Sequence, residues 1–129
     1  MLGGVAARVP LLAARVNADE ALVRRGRVLV TSFLLGIGTE EFLLRIVDGR
    51  IADVREGPFV TPSWVFAIHA DAPAWERFCR PLPAPGDNDI LALLRRRELR
   101  LSGNLQPLMA HLLYFKGLFA CLRSGGGEP

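Results

Sequence analysis

Lysine is nearly missing from this chain: of its 16 basic residues only Lys116 is lysine, and the rest are arginine. The net charge is no more than +3. That excess is small beside the phosphate neutralisation that nucleic-acid binding demands, and no aromatics interleave with basic residues in a groove-like pattern, so no nucleic-acid partner is expected. Cysteine is equally scarce. Cys79 and Cys121 stand far apart and form no CxxC or metal-ligand spacing, which reads as two buried free thiols in a reducing compartment. No segment reaches the ~18 uninterrupted apolar residues of a spanning helix. The opening GVAARVPLLAARV is cut by Arg8, Pro10 and Arg15, so it lacks the apolar stretch of a signal peptide. Its arginine-rich start has the look of a transit peptide, but Asp19-Glu20 follow soon after, and a cytoplasmic location is expected. Catalytic signatures are missing too. There is no GxSxG elbow and no P-loop, and Gly36-Ile37-Gly38 has no third glycine. Ser63, His69 and Asp71 are close in sequence, but on one strand end they do not converge by necessity. The chain is expected to be no enzyme, with no cofactor and no metal.

What is present is apolar surface in surplus. Half of the 129 residues are hydrophobic although 22% are charged, and the mean hydropathy is +0.27. The surplus concentrates near the end. A short strand, Leu99 to Ser102, leads through Gly103-Asn104 into a helix spanning about Leu105 to Leu122, LQPLMAHLLYFKGLFACL, with Lys116 as its only charge. A surface helix shows one apolar stripe and one charged face. This one must be covered on both sides, by its own sheet on one and by a lid, a partner, a membrane or a lipid on the other.

The length fits one domain over residues 1–129. Residues 1–25 read as an N-terminal helical segment broken at Pro10, with Asn17 or Asp19 capping a further turn through Val23. Arg27–Ile37, Glu41–Val47 and Ile51–Arg55 read as a three-strand antiparallel meander with a turn at Asp48-Gly49. In the second hairpin, a plain two-residue loop would set Leu44 opposite Asp53. One extra loop residue instead pairs Leu44 with Val54, Arg45 with Asp53 and Ile46 with Ala52, sorting apolar from charged groups. A longer, bulged loop is therefore expected. Ser63–His69 is a fourth strand, Asp71 opens a short helix with Pro73 in its first turn, RPLPAPGDN is a surface loop, and Asp87 or Asn88 caps the helix of DILALLRRRE. SGGGEP, residues 124–129, reads as a flexible tail. Leu44, Ile46 and Val54 should share a face with Trp64, Phe66 and Leu101 beneath the last helix.

This order of elements, carried by IVDGRIADVREG, SWVFAIHADAPAWERF and LRRRELRLSGNLQPLMAHLLYFKGL, resembles the sterol carrier protein type-two family over roughly Gly26 to Leu122. The family's Gly-Asp before the last helix is Gly103-Asn104 here, an equally good cap. Where the family has a glycine-bearing signature between the middle helices, this chain has RPLPAPGDN. The resemblance implies an α+β fold, a twisted, mainly antiparallel five-stranded sheet covered on one face by helices. It also implies an apolar tunnel for a sterol, fatty acyl chain or isoprenoid tail, and no catalytic residues. Some members serve ubiquinone-type lipid biosynthesis.

On a helical wheel begun at Leu105, Leu108, Met109, Leu112, Leu113 and Phe119 share a broad arc with Lys116 near its middle, and His111 falls off it. With Phe33 and Phe66 from the strands, these residues are the candidate ligand contacts. Phe33, Phe66, Leu108, Met109, Leu112 and Phe119 should border a concave apolar pocket of ~300–1,000 Å³. Lys116 has two readings. Its ammonium meets a ligand's carboxylate or phosphate at the tunnel mouth, or Gly117 loosens the helix and Lys116 reaches water or an internal carboxylate. Arg95, Arg96 and Arg97 offer contact with anionic lipid headgroups, or simply form a solvated helix end that suits the helix dipole. The competing function is an interaction module, with the apolar last helix packed against a second copy or an enzyme partner.

Overall fold

The computed structural model describes residues 4–60, 62–80 and 83–123, so the expected tail at 124–129 and part of the proline-rich loop lie outside the described residues. β1 (Val30–Ile37), β2 (Glu40–Val47) and β3 (Arg50–Glu56) form the antiparallel meander, β4 (Phe66–Ala70) lies parallel to β1, and β5 (Leu99–Gly103) closes antiparallel on β4. The strand order is β3-β2-β1-β4-β5, an open, mostly antiparallel sheet. β1 starts later than Arg27 because Gly26 to Leu29 is a turn, closed by the Leu29 amide donating to the Gly26 carbonyl at 2.8 Å. β4 likewise starts at Phe66, which leaves Trp64 ahead of the strand, half-buried and apart from the core. Leu44, Ile46, Val54, Phe66 and Leu101 do pack together on the inner face.

The second hairpin corrects the expected register at one point. Leu44 pairs with Val54 and Arg45 with Asp53, but Ile46 pairs with Ile51 rather than Ala52. The extra residue sits in the strand and not in the loop. Asp48 and Gly49 both have positive φ, 52° and 82°, which makes a two-residue turn of the twist that hairpins favour. The bulge between Arg45 and Ile46 then puts Ile51 on the buried face and leaves Ala52 in solvent.

Helices cover one face. A 3-10 turn, Gly4–Arg8, leads into α1 (Val9–Ala18). Pro10 does not break this helix: it stands in the first turn, where its missing N–H costs nothing. α2 (Glu20–Arg25) is capped by Asp19, whose carboxylate accepts from the Leu22 amide at 3.1 Å. Asn17 instead bridges to β3, donating to the Ile51 carbonyl and accepting from its amide. α3 (Ala72–Phe78) begins with Pro73 in its first turn. α4 (Ile90–Arg95) is capped by Asp89, not by Asp87 or Asn88. Asp87 is buried between Arg77 and Arg96, and Glu98 bonds the same two guanidinium groups.

The last helix departs most from expectation. It is two helices, α5 (Gln106–Ala110) and α6 (Leu112–Ala120), separated at His111, whose φ of −122° and ψ of 41° are not helical. The cap position of α5 is Leu105, which makes no side-chain cap hydrogen bond, so Asn104 is not the expected cap; it stands one residue ahead, its carboxamide accepting from the Gln106 amide at 3.1 Å.

Candidate functional site

Phe33 of β1 and Phe66 of β4 are register partners on neighbouring strands, so their rings point the same way and stack, centroids 5.2 Å apart and 7° from parallel. Phe115 of α6 stands edge-on to both, at 5.7 and 5.5 Å, and Phe119 meets Phe33 at 5.8 Å. Trp75 of α3 lies 5.8 Å from Phe119, and its indole N–H donates to the Gly36 carbonyl at 3.0 Å. Each such pair contributes about 0.5–1.5 kcal/mol beyond the area it buries. Leu108 is buried in the same core. The structure thus brings together Phe33, Phe66, Leu108 and Phe119 from the candidate contacts, and adds Phe115 and Trp75, but as a closed, fully buried core in which they pack on one another rather than border the expected concave pocket.

Met109 and Leu112 stand elsewhere. Met109 is 46% and Leu113 65% exposed, and Leu112 is half-buried. With Arg25, His111 and Tyr114 they border a cavity of about 350 Å³ at the α5–α6 break. The Tyr114 hydroxyl donates to the Gly49 carbonyl at 2.7 Å, and burial pushes its pKa well above the ordinary phenol range, so it is a weaker acid than a free phenol.

Lys116 lines a second cavity, about 200 Å³, with Phe78, Asn88, Asp89, Ile90 and Arg123. Its ammonium lies 3.1 Å from the Asp89 carboxylate, so an internal carboxylate does answer it. Arg123 donates to the carbonyls of Phe78 and Asn88 at 2.9 and 2.7 Å and covers the Phe78 ring at 4.4 Å. Two cations and one carboxylate therefore face one small opening floored by Phe78 and Ile90. Gly117 does not loosen α6. A Cβ there would stand 2.6 Å from Leu22 Cδ1, so glycine lets α2 approach closely.

Arg96 is held by Asp87 and Glu98, while Arg95 and Arg97 are exposed. His69 is bonded through Nδ1 to Arg100 at 2.7 Å. Burial pushes the Cys79 thiol up to about 11, against the opposing pull of Arg8 and Arg123, so it stays protonated and weakly nucleophilic at neutral pH. Among the described residues no helix is long and apolar enough to cross a membrane, and no cluster of three or more His, Cys, Asp or Glu is placed to hold a metal ion.

No protein-family profile matches the sequence, and no curated protein matches it. The fold, by contrast, has many solved counterparts. It is similar to sterol carrier protein 2 at a TM-score of 0.74, with 18% identity over 92% of this chain and 95% of the other. It is similar to the UbiJ-SCP2 ubiquinone synthesis protein at 0.57, with 17% identity over 92% and 89%. The palmitated SCP2L2 of Aedes aegypti matches at 0.52, with 18% identity over 83% and 87%. The chain has the α+β fold of sterol carrier protein 2.

Proposed function

We propose that this chain is a non-catalytic, cytoplasmic lipid-binding protein that holds one apolar ligand between the inner face of the sheet and α5–α6. The observation that carries the reading is the layer of aromatic rings roofed by a helix pair that is broken in its middle. A continuous helix would roof such a layer rigidly, whereas two short helices can part at His111. In this reading Phe33, Phe66, Leu108 and Phe119 hold the apolar body of the ligand, and Met109 and Leu112 flank the opening. Lys116, beside Arg123, meets an anionic headgroup by exchanging Asp89 for a ligand carboxylate or phosphate. The neighbours named as sterol carriers, the palmitated one and the ubiquinone synthesis protein support an apolar ligand of sterol, acyl or isoprenoid type. The exposed Arg95 and Arg97 are the residues left for contact with an anionic lipid surface.

Titration with a fluorescent fatty acid tests the reading, together with native mass spectrometry of the purified protein. One saturable site per chain is expected. Lys116→Met should weaken binding of the anionic probe by about 1.5–3 kcal/mol, the range for a hydrogen bond to a charged group. Stability should barely change, because an ion pair as exposed as Lys116–Asp89 contributes little. Equal affinities would remove Lys116 from the site. A second reading, an interaction module, is favoured by the exposed Met109 and Leu113. A tight, lipid-free dimer that fails to bind the probe would establish it in place of the first.

A further inference from the structure

Thr31 is the one buried side chain among the described residues whose polar atom has no hydrogen-bond partner. It is 6% exposed. It occupies the second position of β1, two residues before Phe33, and its register partner is Ile46. Alternation along the strand therefore turns its hydroxyl to the same inner face as Phe33, Leu35 and the buried Ile46. At this end of the sheet that face is otherwise apolar, its charged members Glu40 and Glu56 standing at the far end. The position lies at the end of the sheet where Val30 pairs with Val47 and Val47 with Arg50. Tyr114 reaches Gly49 at this same end, next to the α5–α6 break and its cavity of about 350 Å³.

An orphaned hydroxyl in an apolar layer is costly, since it gave up water and gained nothing. Valine has the same shape and would remove the cost. Tyr114 shows that a buried hydroxyl in this neighbourhood can be satisfied, its proton going to a backbone carbonyl. Thr31 has no such outlet, and its free donor and acceptor face the layer proposed to receive the lipid. We infer that Thr31 is a specificity residue that hydrogen-bonds a neutral oxygen, hydroxyl or carbonyl, carried on the apolar body of the ligand. The inference rests on the lipid-binding reading and narrows it, from any acyl chain to an oxygenated lipid. With Lys116 at the second cavity, away from the opening at the α5–α6 break, the ligand has two polar points, an anionic head and a neutral oxygen further along.

The test compares wild type with Thr31→Val and Thr31→Ser. Each is titrated with hexadecanoic acid and a positional series of monohydroxy-hexadecanoic acids, by displacement of a fluorescent fatty acid. In wild type at least one isomer should bind better than hexadecanoic acid by about three- to tenfold, the gain of one hydrogen bond. Thr31→Val should abolish that preference without weakening hexadecanoic acid, and Thr31→Ser should restore it. The ligand-free Thr31→Val protein should melt at or above the wild-type temperature. A lower melting temperature would mean that an internal water or a protein group satisfies the hydroxyl, and would overturn the inference. So would identical preferences in wild type and Thr31→Val, with hexadecanoic acid still bound, and the lipid-binding reading would survive that result. Loss of all binding in the wild type would sink both.

Discussion

The abundance of arginine has a structural use that lysine could not supply. The last carbonyls of a helix have no partners within it, and beyond α6 those of Cys121 and Leu122 accept from Arg15 and Arg8 at 2.9 and 2.8 Å. Arg123 returns from the other side to Phe78 and Asn88. A guanidinium presents several donors in a rigid fork, so one side chain can hold two carbonyls, as Arg123 does. Arg8 and Arg123 also pull on Cys79 without overcoming its burial. Its pKa in the folded chain is raised from 9.0 to about 11, so the neutral thiol is favoured by folding. The stability linked to it is fully present below pH 9 and is lost as pH rises through about 11. Ultraviolet titration of thiolate formation should place one slow-reacting thiol near 11 in native protein and near 9 in urea. A native midpoint near 9 for both cysteines would show that Cys79 is open to solvent.

At the scale of elements, the fit of α2 against α6 turns on one missing methyl group. Gly117→Ala should gain about 1 kcal/mol of helix propensity. Its Cβ, however, would stand 2.6 Å from Leu22 Cδ1, and overpacking of this kind costs about 1–3 kcal/mol. A net loss of about 1 kcal/mol is expected in urea unfolding. In a Leu22→Ala background the same change should stabilise by about 0.5–1 kcal/mol. Stabilisation in the wild-type background would mean that the Leu22 methyl moves aside at little cost. This position, and the break six residues before it, mark where sequence reasoning stopped. The strands, the meander and the parity of Leu44, Arg45, Val54 and Asp53 were legible, because alternation and turn residues are local signals. The Ile46–Ile51 pairing was not, because a bulge inside a strand has no glycine or proline to announce it here. His111 gives no signal either, so a wheel begun at Leu105 carried its phase through a break. It placed Met109 and Leu113 inside and passed over Phe115. Begun at Leu112, the same wheel finds Tyr114, Phe115, Leu118, Phe119 and Leu122, all buried, at helical spacing. Lys116 was legible as a residue needing a partner, but Asp89 comes from another element and no sequence pattern names it.

For the molecule as a whole, the decisive quantity is the work needed to part the sheet from its roof. Phe33, Phe66, Phe115 and Phe119 touch ring to ring, so a ligand entering the layer must first separate them, and its net affinity is reduced by that work. Phe115 is the ring that meets both strand phenylalanines from α6. Phe115→Ala should therefore destabilise the ligand-free protein by about 3–5 kcal/mol, the usual cost of such a truncation. It also leaves a void of about the cross-section of an acyl chain in the place the ligand must reach. A lipid at about 100 times its dissociation constant stabilises by about 2.7 kcal/mol. At equal lipid concentration the truncated protein, whose layer is already open, should reach a higher saturation ratio than wild type. For a chain of this length each kcal/mol moves the melting temperature by about 3–5 °C. Hexadecanoic acid should thus raise the melting temperature of Phe115→Ala several degrees more than that of wild type, from a lower starting point. Differential scanning calorimetry of both proteins, with and without lipid, reads the two differences directly. An equal or smaller rise in the variant would mean that the ligand does not enter between Phe115 and the sheet, and would move the lipid site away from the aromatic layer to the outer cavities beside α6.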